Sequence, residues 1–98
     1  MHPDLLKGRA RDRDYVIVDT ETTGLSVVDR VVEVAAVRLA SDGATTTFQS
    51  LVDPEGPVPE VSTSVHGLTD ADLVDAPAIA DVLPALTEFG RDAVWLAH

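Results

Sequence analysis

Val16-Ile17-Val18-Asp19-Thr20-Glu21-Thr22-Thr23-Gly24-Leu25 is the stretch on which the fold turns. Tyr15 to Val18 are all apolar, β-branched or aromatic, the pattern of a strand covered on both faces at the centre of a sheet. Two acidic residues follow at once. Side chains alternate along a strand, so Asp19 and Glu21 point the same way, with Cα atoms ~6.6 Å apart. At an effective dielectric of ~20 their repulsion reaches roughly 2 to 3 kcal/mol, and less if the side chains splay. Two carboxylates that merely mark a strand end before a glycine turn are the plain reading. The sharper one is a metal site. Hard cations such as Mg²⁺ take carboxylate oxygens, and two ions ~4 Å apart can hold the attacking and leaving oxygens of a phosphodiester hydrolysis. In α/β sheets ligands also collect beyond the carboxyl ends of strands, where Asp19 and Glu21 are expected to fall.

Outward from this stretch the pattern is α/β. Val31 to Leu39 and Thr45 to Val52 are β-rich runs joined by Asp42-Gly43, a two-residue hairpin signal that predicts antiparallel pairing. Pro54, Pro57 and Pro59 predict an irregular crossing. Val61 to His66 fits one helical turn ended by Gly67 in a left-handed cap, and Thr69 with Asp72 an imperfect capping box. From Pro77 the positions Ile79, Val82, Leu83, Leu86 and Phe89 recur at helical spacing up to Gly90, which predicts an amphipathic helix kinked near Pro84. Ala93 to Ala97 is a short fourth strand, and the helical crossover implies that it runs parallel to the first.

Ninety-eight residues make one small domain, and 45% hydrophobic residues with a mean hydropathy of +0.11 exclude a disordered chain. No apolar run approaches the ~20 residues of a membrane span and no signal peptide is visible, so a cytoplasmic protein with no membrane partner is expected. The absence of cysteine excludes disulfides and thiolate metal sites, leaving oxygen or imidazole ligands. A net charge of −10 repels nucleic acid by itself. Four of the seven basic residues, Lys7, Arg9, Arg11 and Arg13, lie in residues 1–13, which read as a solvated flexible arm, or more sharply as an arm that touches phosphates, ahead of a domain at 14–98. A bound divalent cation would reverse the local electrostatics of an acidic site.

VIVDTETTGL closely resembles the first motif of the DnaQ-like 3′→5′ exonucleases, the family of the epsilon-type proofreading subunits of bacterial DNA polymerase III. The likeness continues in order through Arg30 to Val37, Ser64-Val65-His66-Gly67-Leu68-Thr69, Ala76-Pro77 and Val94-Trp95-Leu96-Ala97-His98, the last resembling the start of the second motif. The resemblance implies a ribonuclease H-like fold with a mixed sheet in the order 3-2-1-4, strand two antiparallel. It implies that Asp19 and Glu21 bind Mg²⁺ or Mn²⁺ in a two-metal site, and that Thr22, Thr23, Gly24 and Leu25 lie beside the terminal nucleotide. His66 is then a loop histidine that positions the terminal nucleoside or the local backbone. Glu33, alternating with the apolar Val31, Ala35 and Val37, needs hydrogen-bond partners and is assigned a supporting role beside the metal ligands. The Asp of the second motif, and the general base and last Asp of the third, are not among residues 1–98. The stretch therefore reads as the amino-terminal part of one exonuclease domain, inactive alone. The implied substrate is the single-stranded 3′ end of DNA, in proofreading beside a replicative polymerase. Trimming of RNA 3′ ends is the rival within the class, and a non-catalytic half-domain or polymerase-binding module the rival outside it.

Overall fold

The computed structural model describes residues 13–24 and 30–97; Leu25, His98 and all of the predicted arm except Arg13 lie outside them. The elements are β1 (Tyr15–Thr22), β2 (Val31–Leu39), β3 (Thr45–Leu51), α1 (Glu60–His66), α2 (Asp70–Leu73), α3 (Ile79–Phe89) and β4 (Val94–Ala97). The four strands form one mixed sheet in the order β3-β2-β1-β4. β2 is antiparallel to both its neighbours, and β4 runs parallel to β1. This is the sheet order of the ribonuclease H-like fold expected from the sequence.

One face of the sheet carries the core. Val16 on β1, Val34 and Ala36 on β2, and Val52 after β3 are buried against Val82 and Leu86 of α3, with Val18, Phe48 and Phe89 packed around them. Val82, Leu86 and Phe89 follow helical spacing, which is why α3 lies along the sheet. Pro84 sits in this helix at an exposed position, and the helix continues through it as a single element. The rings of Phe48 and Phe89 pack at a tilt of 43° with centroids 5.6 Å apart, tying β3 to the end of α3.

Several boundaries differ from the sequence expectation for identifiable reasons. β1 extends to Thr22 rather than stopping at Val18, because its polar second half pairs with β2 from Asp19↔Ala35 to Thr22↔Val31. The hairpin between β2 and β3 is a three-residue loop rather than a two-residue one. Gly43 donates to the Ala40 carbonyl at 2.9 Å and is left-handed at φ 91°, whereas Asp42 is not left-handed. The Asp42 carboxylate instead accepts from the Ala44 N–H at 2.8 Å, a local bond that fixes the wider turn. α3 starts at Ile79 rather than Pro77 because the Pro77 carbonyl accepts from the Asp53 N–H at 2.9 Å, and Ala78 forms a parallel bridge to Asp53. Gly67 ends α1 at φ 80°, as expected of a left-handed cap, and Thr69 with Asp72 closes a capping box on α2.

An ion pair ties the near end of the sheet to the helix layer. Arg38 donates through Nε and one terminal nitrogen to Asp14 Oδ2, at 2.9 and 2.7 Å, and through the other nitrogen to the Phe89 carbonyl at the end of α3, at 2.7 Å. Asp14 Oδ1 accepts from the Ser41 N–H at 2.9 Å. The Arg38 guanidinium, helped by that N–H and opposed by burial, holds the Asp14 carboxyl below its ordinary 3.8.

Two predictions follow from this packing. A Cβ on Gly90 would lie 1.8 Å from Cζ2 of Trp95, while the glycine backbone, at φ −97°, would accept any residue. Gly90→Ala should therefore cost about 2 kcal/mol through overpacking alone. Urea denaturation followed by the fluorescence of the single tryptophan measures this, and a cost below about 0.5 kcal/mol would contradict the packing. The second concerns pH. Because the folded Asp14 pKa is depressed, its stabilisation is present above 3.8 and is lost as pH falls through the lower folded value. Arg38→Met should be less stable than the unsubstituted protein near neutrality, and the gap should narrow as pH falls below that range; parallel stability curves would refute the pairing.

Candidate active site

Asp19 and Glu21 stand on β1 with their side chains on the face opposite Val16 and Val18, because residues alternate along the strand. Asp19 is exposed and Glu21 half-buried. Among the described residues β1 pairs with β4 from Tyr15↔Val94 to Val18↔Ala97, and both carboxylates follow that paired stretch of β1. They are on the strand rather than beyond it. On the other side the register with β2 sets Asp19 against Ala35 and Glu21 against Glu33. Glu21 and Glu33 are thus like charges directly opposite one another, an arrangement that destabilises an antiparallel pair. Immediately after them the register shifts, between Glu21 and Thr22. Such bulges re-aim side chains and concentrate near active sites.

Glu33 lies on the half-open face and not on the buried one, since Val32, Val34 and Ala36 are the core-facing residues of β2. Its Oε2 accepts from Gln49 Nε2 at 2.7 Å. Gln49 pairs with Ala35, so it reaches Glu33 diagonally, over the small side chain between them.

The loop after the carboxylates is held by its own threonines. Thr22 Oγ1 donates to the Gly24 carbonyl at 2.6 Å, and the Thr23 and Arg30 backbones close the loop by Thr23 N–H to Arg30 carbonyl at 2.8 Å. The Arg30 N–H donates to Thr23 Oγ1 at 3.0 Å. These hydroxyls shape the backbone. From α1, Ser62 Oγ donates to the Thr23 carbonyl, bringing the helix against the loop. Between them lies a cleft of about 590 Å³ lined by Thr20, Glu21, Thr22, Gly24, Val61, Ser62, Val65 and His66. His66 Nδ1 accepts from the Leu68 N–H at 3.0 Å, which places the proton of a neutral ring on Nε2. That Nε2 is buried with no hydrogen-bond partner.

The structure thus gathers Glu21, Thr22, Gly24 and His66 around one cleft, with Asp19 beside Glu21 and Thr23 behind the wall; Leu25 lies outside the described residues. Sequence reasoning missed Ser62, Val61 and Val65. The two valines, four residues apart and so on one face of the helix, are 73% and 80% exposed. The donor set fits a hard cation in kind, two carboxylates on one face, but does not enclose one. Among the described residues no group of three His, Cys, Asp or Glu is placed to hold a metal.

Comparison with known proteins gives a consistent picture. Residues 16–98 match the family model described as Exonuclease. A DNA polymerase III subunit epsilon-like protein of Rhodobacter capsulatus is 44% identical over 88 residues, covering 86% of this chain and 12% of that protein. A PolC-type DNA polymerase III of Caldanaerobacter subterraneus subsp. tengcongensis is 37% identical over 86 residues, 87% of this chain and 6% of that protein. The chain therefore spans a small fraction of these relatives. Among solved structures, exonuclease X in complex with 5′ overhanging duplex DNA superposes with a TM-score of 0.72 at 33% identity, over 86% of this chain and 48% of that one. Exonuclease I of E. coli in complex with a dT13 oligonucleotide shares the fold, with a TM-score of 0.73 at 16% identity, over 88% and 20% of the two chains.

The cross-strand repulsion makes a prediction about the metal-free protein. Glu21→Gln removes one of two opposed charges, so stability in EDTA should be unchanged or higher by up to about 1 kcal/mol in urea denaturation. A loss of more than about 1 kcal/mol would show that Glu21 serves the fold.

Proposed function

Because the chain belongs to the exonuclease family, we propose that residues 1–98 supply the first half of the catalytic site of a 3′→5′ exonuclease that releases mononucleotides from DNA 3′ ends. The observation that carries this reading is the placement of Asp19 and Glu21. They share one face of β1, and Glu21 forms part of the cleft wall. In this role Asp19 and Glu21 hold Mg²⁺ or Mn²⁺, and the bound ions supply Lewis-acid stabilisation of phosphodiester hydrolysis and activation of water. The chain's own residues do the rest of the work described. Glu33, turned toward Gln49, keeps a third carboxylate beside the pair without competing for its position. Thr22, Thr23 and Gly24 fix the loop at the cleft, and Leu25 is assigned to the same subsite. His66 presents a buried Nε2–H, a donor without a partner, beside the space assigned to the terminal nucleoside.

DNA is favoured over RNA because the relatives above 30% identity are named as DNA polymerase III proteins and a nuclease in complex with DNA. Proofreading beside a replicative polymerase in the cytoplasm is part of the same proposal, in keeping with relatives named as DNA polymerase III proteins. Two carboxylates cannot fix a metal pair in working geometry, so residues 1–98 by themselves are inactive.

In a polypeptide that joins these residues to the family's later motifs, Asp19→Asn or Glu21→Gln should lower Mg²⁺-dependent hydrolysis of a 5′-labelled oligonucleotide by at least about a hundredfold with the fold intact. Near-normal turnover in either variant would remove the substituted residue from the mechanism.

A further inference from the structure

A seven-residue helix is far too short to persist on its own, so α1 must be held by what it touches. The apolar pair that would ordinarily dock it, Val61 and Val65, is exposed along the cleft wall. Its one buried side chain is Ser62, at 6% exposure, which is also the only buried polar residue among the described residues. The other side-chain bonds of the segment are local. Ser64 donates to the Glu60 carbonyl and Thr63 to the Leu68 carbonyl, and His66 accepts from Leu68. Apart from the Ser62 and Thr63 N–H groups, which cap on the Pro59 carbonyl, Ser62 Oγ to the Thr23 carbonyl is among the described residues the one hydrogen bond from α1 to the sheet or its loops. Its receiving end is rigid, because Thr23 is bonded to Arg30 at the start of β2 through both its N–H and its hydroxyl.

We propose that Ser62 is a positioning residue. It pins α1 to the loop that follows the carboxylate pair, and so fixes the width of the cleft and its grip on a nucleic-acid 3′ end. The inference rests on the reading of that cleft as the place of the terminal nucleotide. A wall held by one polar contact opens at the cost of that contact and a few local ones, whereas a wall held by buried valines would open only with loss of core. The exposed valines are thereby kept for whatever enters the cleft. No hydroxyl is needed at this position by helix propensity or by capping, since the N-cap is Pro59.

The test is Ser62→Ala in the full chain, which keeps the Cβ and removes only the donor. Amide exchange of residues 60–66 should rise about tenfold while amides of β1 and β2 keep their protection. Affinity for a 5′-fluorescein single-stranded oligodeoxynucleotide in Ca²⁺ should fall about tenfold. Unchanged exchange in 60–66 would overturn the pin. Faster exchange with unchanged affinity would overturn its link to the cleft, as would a loss of protection spread over the whole sheet. If the unsubstituted chain binds no oligonucleotide while Ser62→Ala still loosens α1, the nucleic-acid reading fails and the proposed grip fails with it.

Discussion

Like charges forced to one side of a sheet are the constraint around which this structure is arranged. The alternation of β1 sets Asp19 and Glu21 on the same face, and the register with β2 adds Glu33 opposite Glu21. Such a row does not favour folding, so the fold must be secured elsewhere. The opposite face does so, with Val16, Val34, Ala36 and Val52 buried beneath α3. The Asp14–Arg38 pair then fixes the near end of β1 and β2 to the end of α3, at the far end of these strands from the carboxylates. One face and one end provide stability, which leaves the other face and the other end available for a charged site.

Charge gives the same division. The chain carries −10, and the described arginines at the near end of the sheet, Arg13, Arg38 and Arg91, lie away from the cleft. Arg30 stands at the cleft end, but its guanidinium is drawn toward Glu55, at 3.9 Å. A phosphate brought to the candidate site would therefore meet mostly carboxylates. A divalent cation bound there would change that balance more than any side chain in the vicinity, and would make the acidic face compatible with the polyanionic substrate proposed above.

Much of this was legible in the sequence, for physical reasons that differ by element. β2 was readable from end to end because Val31 to Leu39 is a run of mostly apolar residues, four of them valines, interrupted only by Glu33 and Arg38. α3 was readable from Val82, Leu86 and Phe89, although its first turn was misplaced because a backbone bond to Asp53 holds Pro77 and Ala78 extended. The polar half of β1 carries no hydropathy signal; pairing with β2, a tertiary fact, makes it strand. Glu33 was assigned to an apolar face, whereas the core takes the alternate residues of β2 and leaves that face half-open. That Asp19 and Glu21 share one face could be read from spacing alone, but the cleft wall could not. Val61 and Val65 have the spacing of a buried stripe, and nothing in a linear pattern says that the serine between them, and not the valines, meets the sheet.

The central claim is that Asp19 and Glu21 form the place where a divalent cation binds, rather than one patch among many on an acidic surface. Titration of the ¹⁵N-labelled chain with Mn²⁺ tests this directly through paramagnetic broadening of backbone amides. The account predicts that the amides of residues 19–21 and of Glu33 and Ala35 across the strand broaden first, at Mn²⁺ levels that leave Asp53, Asp70 and Asp75 untouched. Broadening spread evenly over the acidic residues, or focused away from β1, would contradict it.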